Sequence, residues 1–168
     1  TTYKTSTGDI TLNNPIRTGY QFEWWSGTDI VWLSGTVTIP SGSVWDRVYE
    51  ANWTGITYTL RYVPWTWEGT QYEETLTYDI TWTLADNSWF IYTGFVLSGW
   101  NIWWVSYATW AEVINLTTTW WDIVIATAEW DEVSYGITYE LNGWEVAIAN
   151  PTTYKTSTGD ITLNNPIR

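Results

Sequence analysis

The residues of this chain that could support catalysis are its carboxylates, because histidine and cysteine are absent. Paired carboxylates can act as acid and base in glycoside hydrolysis, and carboxylate clusters can bind calcium. None of the groups has the Asp-x-Asp-x-Asp-Gly spacing of a calcium loop. We therefore expect a solvated acidic face, no enzymatic activity, no metal and no cofactor. The groups are Glu73-Glu74, Glu129 with Asp131 and Glu132, and Asp79 with Asp86.

The absent residue types and the charge exclude further classes of function. Without histidine and cysteine the chain has no Ser-His-Asp or Cys-His catalysis, no disulfide and no thiolate-metal site. The net charge of −12 disfavours nucleic acid, because phosphates bind Lys and Arg. No apolar run is long enough to cross a membrane, so we expect no membrane span within these residues.

An exact repeat indicates how the chain is organised. Thr1–Arg17 reads TTYKTSTGDITLNNPIR, and Thr152–Arg168 reads the same at an offset of 151 residues. Chance does not produce such an identity in a chain of this length, and a repeat has to be recognised before a fold is assigned. Two explanations stay open: a duplication made in cloning or assembly, or a chain that leaves one structural period and enters the next.

A weaker repeat lies within the period. Gly55–Leu60 reads GITYTL and Gly136–Leu141 reads GITYEL, while Thr18-Gly19-Tyr20 corresponds to Thr93-Gly94-Phe95. We therefore predict two related modules per 151-residue period. The predicted modules are 1–55, the body of a first module without its first strand; 56–135, a complete second module; and 136–168, the start of the next copy of the first.

The side-chain pattern predicts strands separated by turns. Thr, aromatic and β-branched residues alternate with period two in Ile56–Val63, Glu74–Thr81, Thr36–Ile39 and Asp122–Thr127. Asn- and Pro-containing steps interrupt the pattern at residues 13–15, 40–42 and 150–151. Ala108–Leu116 has room for one short helical turn. The sequence therefore predicts a β-rich fold.

Several segments together carry a family resemblance. In the first module they are Leu141-Asn142-Gly143, Pro15–Phe22 followed by Trp25, and Tyr49–Trp53. The second module has the matching segments Tyr92–Asn101 and Ala126–Trp130. This pattern resembles the Listeria–Bacteroides repeat, also seen in internalin-type B repeats of bacterial surface proteins. The resemblance implies small β-grasp-like or sandwich-like modules that act as spacers or adhesive stalks and do not catalyse reactions.

The same alignment implies a structural core. Four tryptophans stand where the family has tryptophan, and one aromatic residue follows the Thr-Gly pair in each module. Large aromatic side chains of this kind can anchor a small module. The predicted core residues are Trp25, Trp53, Trp100, Trp130, Tyr20 and Phe95.

The other thirteen of the seventeen tryptophans stand where the family, or ordinary turn chemistry, has glycine or another small residue. Glycine suits turns because φ > 0 costs it nothing, whereas a bulky residue is strained there. We predict glycine-like backbone conformations at several of them, first at Trp24, which aligns with Gly99, and at Trp144 and Trp104.

Two hypotheses explain these thirteen tryptophans. In the first, the source organism decodes UGA as glycine, and the gene has been translated with UGA as tryptophan. In the second, the chain has a real tryptophan-rich surface whose rings could stack on sugars.

These observations favour a structural protein over an enzyme. We expect tandem β modules that form an extracellular stalk, adhesin spacer or filament on a bacterial cell surface. The alternative is a carbohydrate-binding module that uses exposed tryptophans. The expected partners are neighbouring copies of the same repeat, joined head to tail, and host or cell-surface glycans.

The incomplete first module also predicts how copies join. The strand that residues 1–55 lack corresponds to Ile137–Ile148. We therefore expect Gly136–Arg168 to pair with the equivalent of Thr18–Gly55 in the next copy, either covalently continuous or in a neighbouring chain, because an unpaired sheet edge is a template for another strand. The competing outcome is a compact monomer in which Gly136–Pro151 folds back onto Thr1–Gly55.

Overall fold

The structure is a computed structural model, and it describes residues 2–64, 70–86 and 90–167. Within these ranges the chain forms strands, turns and bends, without a helix and hence without one that could cross a membrane. The prediction of a β-rich fold is confirmed. The helical turn anticipated within Ala108–Leu116 is wrong, because the Ala111 N–H bonds to the Ala108 carbonyl (3.2 Å) in a tight turn and a strand follows.

Fifteen strands follow one another in the described ranges. The first eight are β1 Ile10–Thr11, β2 Tyr20–Gly27, β3 Thr38–Ile39, β4 Tyr49–Gly55, β5 Thr57–Val63, β6 Tyr72–Thr77, β7 Trp82–Thr83 and β8 Phe95–Ile102. The others are β9 Val105–Ala108, β10 Glu112–Val113, β11 Ile123–Glu132, β12 Ser134–Gly136, β13 Glu145–Val146, β14 Thr153–Lys155 and β15 Pro166–Ile167.

Alternation of side chains explains the strands that the sequence predicts. In β5 the side chains of Tyr58, Leu60 and Tyr62 are buried, while Thr59 and Arg61 between them are half-buried. This is the period-two pattern of a strand with one face on a core. The strand predicted over Glu74–Thr81 ends earlier, at Thr77, because Asp79 turns the chain with a φ of 62°.

The strands form one larger sheet and several hairpin-sized ones. The larger sheet has the order β6-β5-β11-β8-β9. Two-stranded antiparallel sheets form from β1 with β3, β2 with β4, β7 with β10, β12 with β14 and β13 with β15.

Two strand pairs have the same register and the same irregularity. In β2–β4, Phe22 lies opposite Trp53 and Trp24 opposite Asn52, so one residue of β2 bulges out of the ladder between them. In β8–β11, Leu97 lies opposite Trp130 and Gly99 opposite Glu129, with the same one-residue bulge in β8. A β-bulge at one fixed position is a specific feature of a sheet rather than a random defect.

Two of the short sheets also match each other. In β1–β3, Thr11 lies opposite Thr38, and the Leu12 N–H bonds to the Val37 carbonyl at 2.9 Å. In β7–β10, Thr83 lies opposite Glu112, and the next N–H, that of Leu84, bonds to the Ala111 carbonyl at 2.9 Å. The β1–β3 sheet and the β7–β10 sheet therefore pair in the same way.

The chain divides into two compact units. The first contains Thr1–Leu60, Glu73–Thr83 and Glu112–Val124, and the second contains Arg61–Tyr72, Leu84–Ala111 and Ile125–Arg168. The first has buried apolar residues such as Val37, Ile39, Tyr58, Leu60, Leu76 and Val124. The second has Tyr62, Leu84, Phe90, Trp100, Ile102 and Ala126. The contiguous module boundaries at residues 56 and 136 stay predictions.

Candidate functional site

Trp100 is the most deeply buried of the predicted core residues. Its side chain is 0% exposed, and its indole N–H donates to the Ala85 carbonyl at 2.8 Å. Tyr62 meets it edge to face with ring centroids 4.6 Å apart, and Phe90 does so at 5.9 Å. The Tyr62 hydroxyl in turn accepts the Ala85 N–H at 3.2 Å. Trp100 therefore combines apolar burial with a satisfied polar group.

The equivalent residue, Trp25, is only half-buried. Its indole N–H donates to the Asn14 side chain at 3.0 Å, and Phe22 packs against it with centroids 5.4 Å apart. Leu12 is likewise half-buried, whereas its counterpart Leu84 is 0% exposed. The same sheet position thus encloses its tryptophan less completely in the first unit.

The remaining predicted core residues are half-buried and lie in aromatic contacts. Trp53 meets Phe22 edge to face at 5.7 Å, and Trp130 meets Tyr92 at 5.8 Å. Phe95 stacks on Tyr92 with centroids 4.1 Å apart, and Tyr20 meets Tyr78 edge to face. The indole N–H of Trp130 is buried without a hydrogen-bond partner.

Most of the other tryptophans are more exposed than these four. Ten of the thirteen lie in the described ranges, and Trp65, Trp67 and Trp89 lie outside them. Trp24 and Trp82 are half-buried. The eight exposed ones are Trp32, Trp45, Trp103, Trp104, Trp110, Trp120, Trp121 and Trp144.

Five of these exposed tryptophans have a left-handed backbone conformation, and none of the four core tryptophans does. The five are Trp45 (φ 78°), Trp103 (52°), Trp104 (69°), Trp110 (65°) and Trp121 (59°). A bulky residue at φ > 0 is an outlier, and the conformation costs an L-residue roughly 1–2 kcal/mol. The prediction of glycine-like conformations is confirmed for Trp104 and for four others.

The prediction is wrong for Trp24 and Trp144, which are not among the residues with positive φ. Trp144 follows the turn in which Asn142 (φ 50°) and Gly143 (φ 82°) already supply the left-handed residues. Trp24 lies in an extended strand. Its counterpart Gly99 is needed for a different reason: a Cβ there would lie 2.2 Å from the Tyr107 carbonyl oxygen of β9.

A groove of about 850 Å³ lies in the first unit, at the start of β4. One wall is the segment Thr2–Thr5, and the other is Val44–Tyr49. Apolar side chains line it, with Leu12 and Ile39 among them. In the sheets of the described ranges β4 pairs with β2 alone, so its other edge is unpaired.

Polar side chains of the groove interact with one another across it. The Tyr3 hydroxyl donates to the Trp45 carbonyl at 2.5 Å, and Arg47 Nε donates to the Tyr3 hydroxyl at 3.4 Å. Arg47 also forms an ion pair with Asp29 at 2.6 Å. Hydrogen bonding to Tyr49 and Tyr3 raises the pKa of Arg47, which therefore stays charged.

Sequence reasoning predicted a missing strand but did not find the groove residues. Tyr3, Trp45 and Arg47 stand outside the motifs of the family resemblance. Ile10-Thr11 corresponds to β7. Counting back along the chain from this match makes Thr2–Thr5 equivalent to the end of β6. This equivalence was the signal from which the groove could have been found.

Several of the carboxylates singled out by the sequence accept hydrogen bonds. Glu74 accepts the Trp82 indole N–H at 2.8 Å, and Glu129 accepts Asn101 at 3.2 Å and Ser106 at 2.8 Å. The described ranges contain no cluster of three or more His, Cys, Asp or Glu residues able to hold a metal.

Asp79 is the centre of a small polar network in the first unit. The Tyr20 hydroxyl donates to one carboxylate oxygen, and the Asn115 side-chain amide donates to the other at 2.7 Å. The Asn115 side-chain oxygen accepts the Asp79 N–H at 2.6 Å. The bonds from Tyr20 and Asn115 lower the pKa of Asp79, and the bond to Asp79 raises the pKa of Tyr20.

The lowered pKa of Asp79 predicts acid sensitivity. A carboxylate with a depressed folded-state pKa stabilises the fold above its unfolded-state pKa, and this contribution is lost as pH falls through the folded-state value. We expect D79N to reduce the steepness with which the free energy of unfolding falls in acid. Asparagine also tolerates φ > 0, so the turn is kept. Urea titrations at several pH values measure the effect. D160N, which removes an exposed charge, is the control, and equal slopes for both variants would contradict the prediction.

No protein-family model, curated protein or solved structure matches the chain. The resemblance to the Listeria–Bacteroides repeat therefore stays a prediction.

Proposed function

We propose that the chain is a section of a non-enzymatic tandem-repeat protein whose small β modules form a stalk, adhesin spacer or filament on the outside of a bacterial cell. The observation that carries the proposal is the matching geometry of β2–β4 and β8–β11. Both pairs have the same register and the same bulge, and each is accompanied by a matching short sheet.

The exact repeat supports the same organisation. Near the start of the chain, the Lys4 N–H bonds to the Thr7 side chain at 3.0 Å, and the Thr7 N–H bonds to the Lys4 carbonyl at 2.8 Å. The second copy forms the same turn between Lys155 and Thr158, with both distances at 2.9 Å. A repeated sequence that forms a repeated local structure fits successive copies of one module.

Physical reasons favour an array over an isolated module. A module of this size buries a limited fraction of its surface, so contacts with neighbours add stability. In such arrays each module contacts its neighbours, and length depends on copy number. The acidic charge of −12 keeps such a surface soluble.

The length of multi-period polypeptides tests the proposal. We expect small-angle X-ray scattering of chains with one, two and four periods to give a radius of gyration that rises nearly in proportion to copy number. A compact chain would instead gain only about 1.7-fold on a fourfold increase in length, because its radius scales as N^0.38. The compact result would contradict a stalk or filament.

Carbohydrate binding is the second candidate function, and one contact favours it. Trp120 and Trp121 are exposed and stacked, with ring centroids 5.4 Å apart and planes inclined by 22°. Such a flat aromatic surface could stack on a sugar ring. A glycan array separates the two functions: binding that is lost in W120A and kept in W32A would favour the carbohydrate-binding module.

A further inference from the structure

We infer that the groove between Thr2–Thr5 and Val44–Tyr49 is a strand-acceptor site, and that its ligand is the segment Ile137–Leu141 of a second copy of this chain. The inference deepens the proposed modular function and rests on it. It follows from comparing the groove with the same place in the five-stranded sheet.

The two walls of the groove correspond to two strands of that sheet. The register of β4 matches that of β11, so the wall Val44–Tyr49 corresponds to the start of β11. The pairing of β1 matches that of β7, so the preceding wall Thr2–Thr5 corresponds to the end of β6. In the five-stranded sheet β5 lies between β6 and β11. The groove is therefore the place that a strand like β5 would occupy.

The chemistry of β5 shows what the groove would bind. Tyr58 and Leu60 are 1% and 0% exposed, so this strand contributes large apolar side chains to the core. Its backbone bonds to the segment before β11, from the Thr59 N–H to the Asp122 carbonyl (2.9 Å) and from the Trp121 N–H to the Thr57 carbonyl (3.1 Å). Strand addition uses the same combination: backbone hydrogen bonds to the sheet edge, and pockets that receive every second side chain of the added strand.

The chain contains a second segment with the sequence of β5. Gly136–Leu141 reads GITYEL against GITYTL for Gly55–Leu60, so Tyr139 and Leu141 correspond to the buried Tyr58 and Leu60. Residues 137–141 are outside the strands, and Tyr139 and Leu141 are only half-buried. The neighbouring strands β12 to β15 pair among themselves. The donor segment therefore lies outside the sheets, but it bonds to its own chain through the Ile137 N–H to the Thr152 carbonyl (2.8 Å) and the Tyr139 hydroxyl to the Pro151 carbonyl (2.7 Å). Strand addition would exchange these bonds for bonds to the unpaired edge of β4.

The acceptor side has a matching backbone group. The registers make Trp53 of β4 equivalent to Trp130 of β11, and counting back equally from both makes Trp45 equivalent to Asp122. The Asp122 carbonyl accepts the Thr59 N–H. The Tyr3 hydroxyl bonds to the Trp45 carbonyl in the open groove. A donor strand would replace this bond with one from the Glu140 N–H. Because the contact is head to tail, it continues as an open filament unless the rotation between copies closes a ring.

Self-association of the full chain tests the inference. We expect sedimentation velocity to show oligomers whose mass rises with protein concentration. The E140P variant removes the N–H that corresponds to the Thr59 donor, and proline is excluded from paired strand positions. We expect it to weaken association at least about tenfold. The E140A variant keeps the N–H and should associate like the unmodified chain.

A peptide with the sequence of Gly136–Val146 provides the second measurement. The E140P chain keeps its groove, so we expect the peptide to bind it in isothermal titration calorimetry and to dissociate oligomers of the unmodified chain. The same peptide with proline in place of Glu140 should not bind. Binding also shows that the E140P chain is folded at the groove.

Two results would overturn the inference. One is a chain that stays monomeric at all concentrations and does not bind the peptide. The other is association that E140P leaves unchanged, which would assign it to another surface. Either result could occur while multi-period chains still scatter as elongated particles, in which case the proposed function would stand without strand exchange between copies.

Discussion

Replacing Trp100 with alanine is expected to lower the free energy of unfolding by about 3–5 kcal/mol. The side chain is fully buried, and its removal leaves a cavity beside Tyr62 and Phe90. It also removes the 2.8 Å hydrogen bond to the carbonyl of the half-buried Ala85, which adds the loss of a hydrogen bond. Since domains are stable by only about 5–15 kcal/mol, this is a large part of the total.

Urea denaturation monitored by far-UV circular dichroism measures the loss. W25A is expected to cost less, because Trp25 is half-buried, and W104A should have little effect, because Trp104 is 95% exposed. If W100A does not fold, W100F keeps most of the apolar volume and still loses the indole hydrogen bond, so it measures part of the same effect. Equal losses for W100A and W104A would contradict the assignment of Trp100 to the core.

The contrast between Trp100 and Trp25 marks how far the sequence could predict the site. Internal alignment paired these two tryptophans, and their strands indeed share a register and a bulge. It could not predict their burial, because burial depends on which strands cover the pair. In the larger sheet β5 brings Tyr62 against Trp100, whereas the edge of β4 in the first unit is unpaired.

Strands were predictable where local patterning was strong, and turns were less so. The alternation in Ile56–Val63 predicted β5 almost to the residue. The two-residue turn at Trp103-Trp104 carries no Asn-Gly or Gly-Gly signal as written, yet Ile102 pairs with Val105 across it. Both turn residues have positive φ, as a type I′ hairpin requires. Tryptophan at these positions gives no local signal for such a turn, so the residue types alone could not predict this hairpin.

Replacing Trp45 or Trp104, the most exposed of the five left-handed tryptophans, with glycine is expected to raise the free energy of unfolding by about 1 kcal/mol. An L-residue pays roughly 1–2 kcal/mol for this conformation, and the greater freedom of glycine in the unfolded chain offsets about 0.5–1 kcal/mol of the gain. These side chains are exposed, so their removal sacrifices little burial. Trp103 and Trp104 are adjacent, so their effects need not add.

Trp32 provides the matched control, because it is 83% exposed against 86% for Trp45 but has no positive φ. W45G should stabilise the protein, and W32G should destabilise it, since glycine there only adds unfolded-state entropy. If both variants lose stability equally, the left-handed conformations do not strain the chain.

The left-handed conformations also bear on the hypothesis that UGA is decoded as glycine in the source organism. Glycine at all five sites would remove the strain. Tandem mass spectrometry of the natural protein across residues 102–105 decides, and tryptophan masses at 103 and 104 would refute the UGA hypothesis.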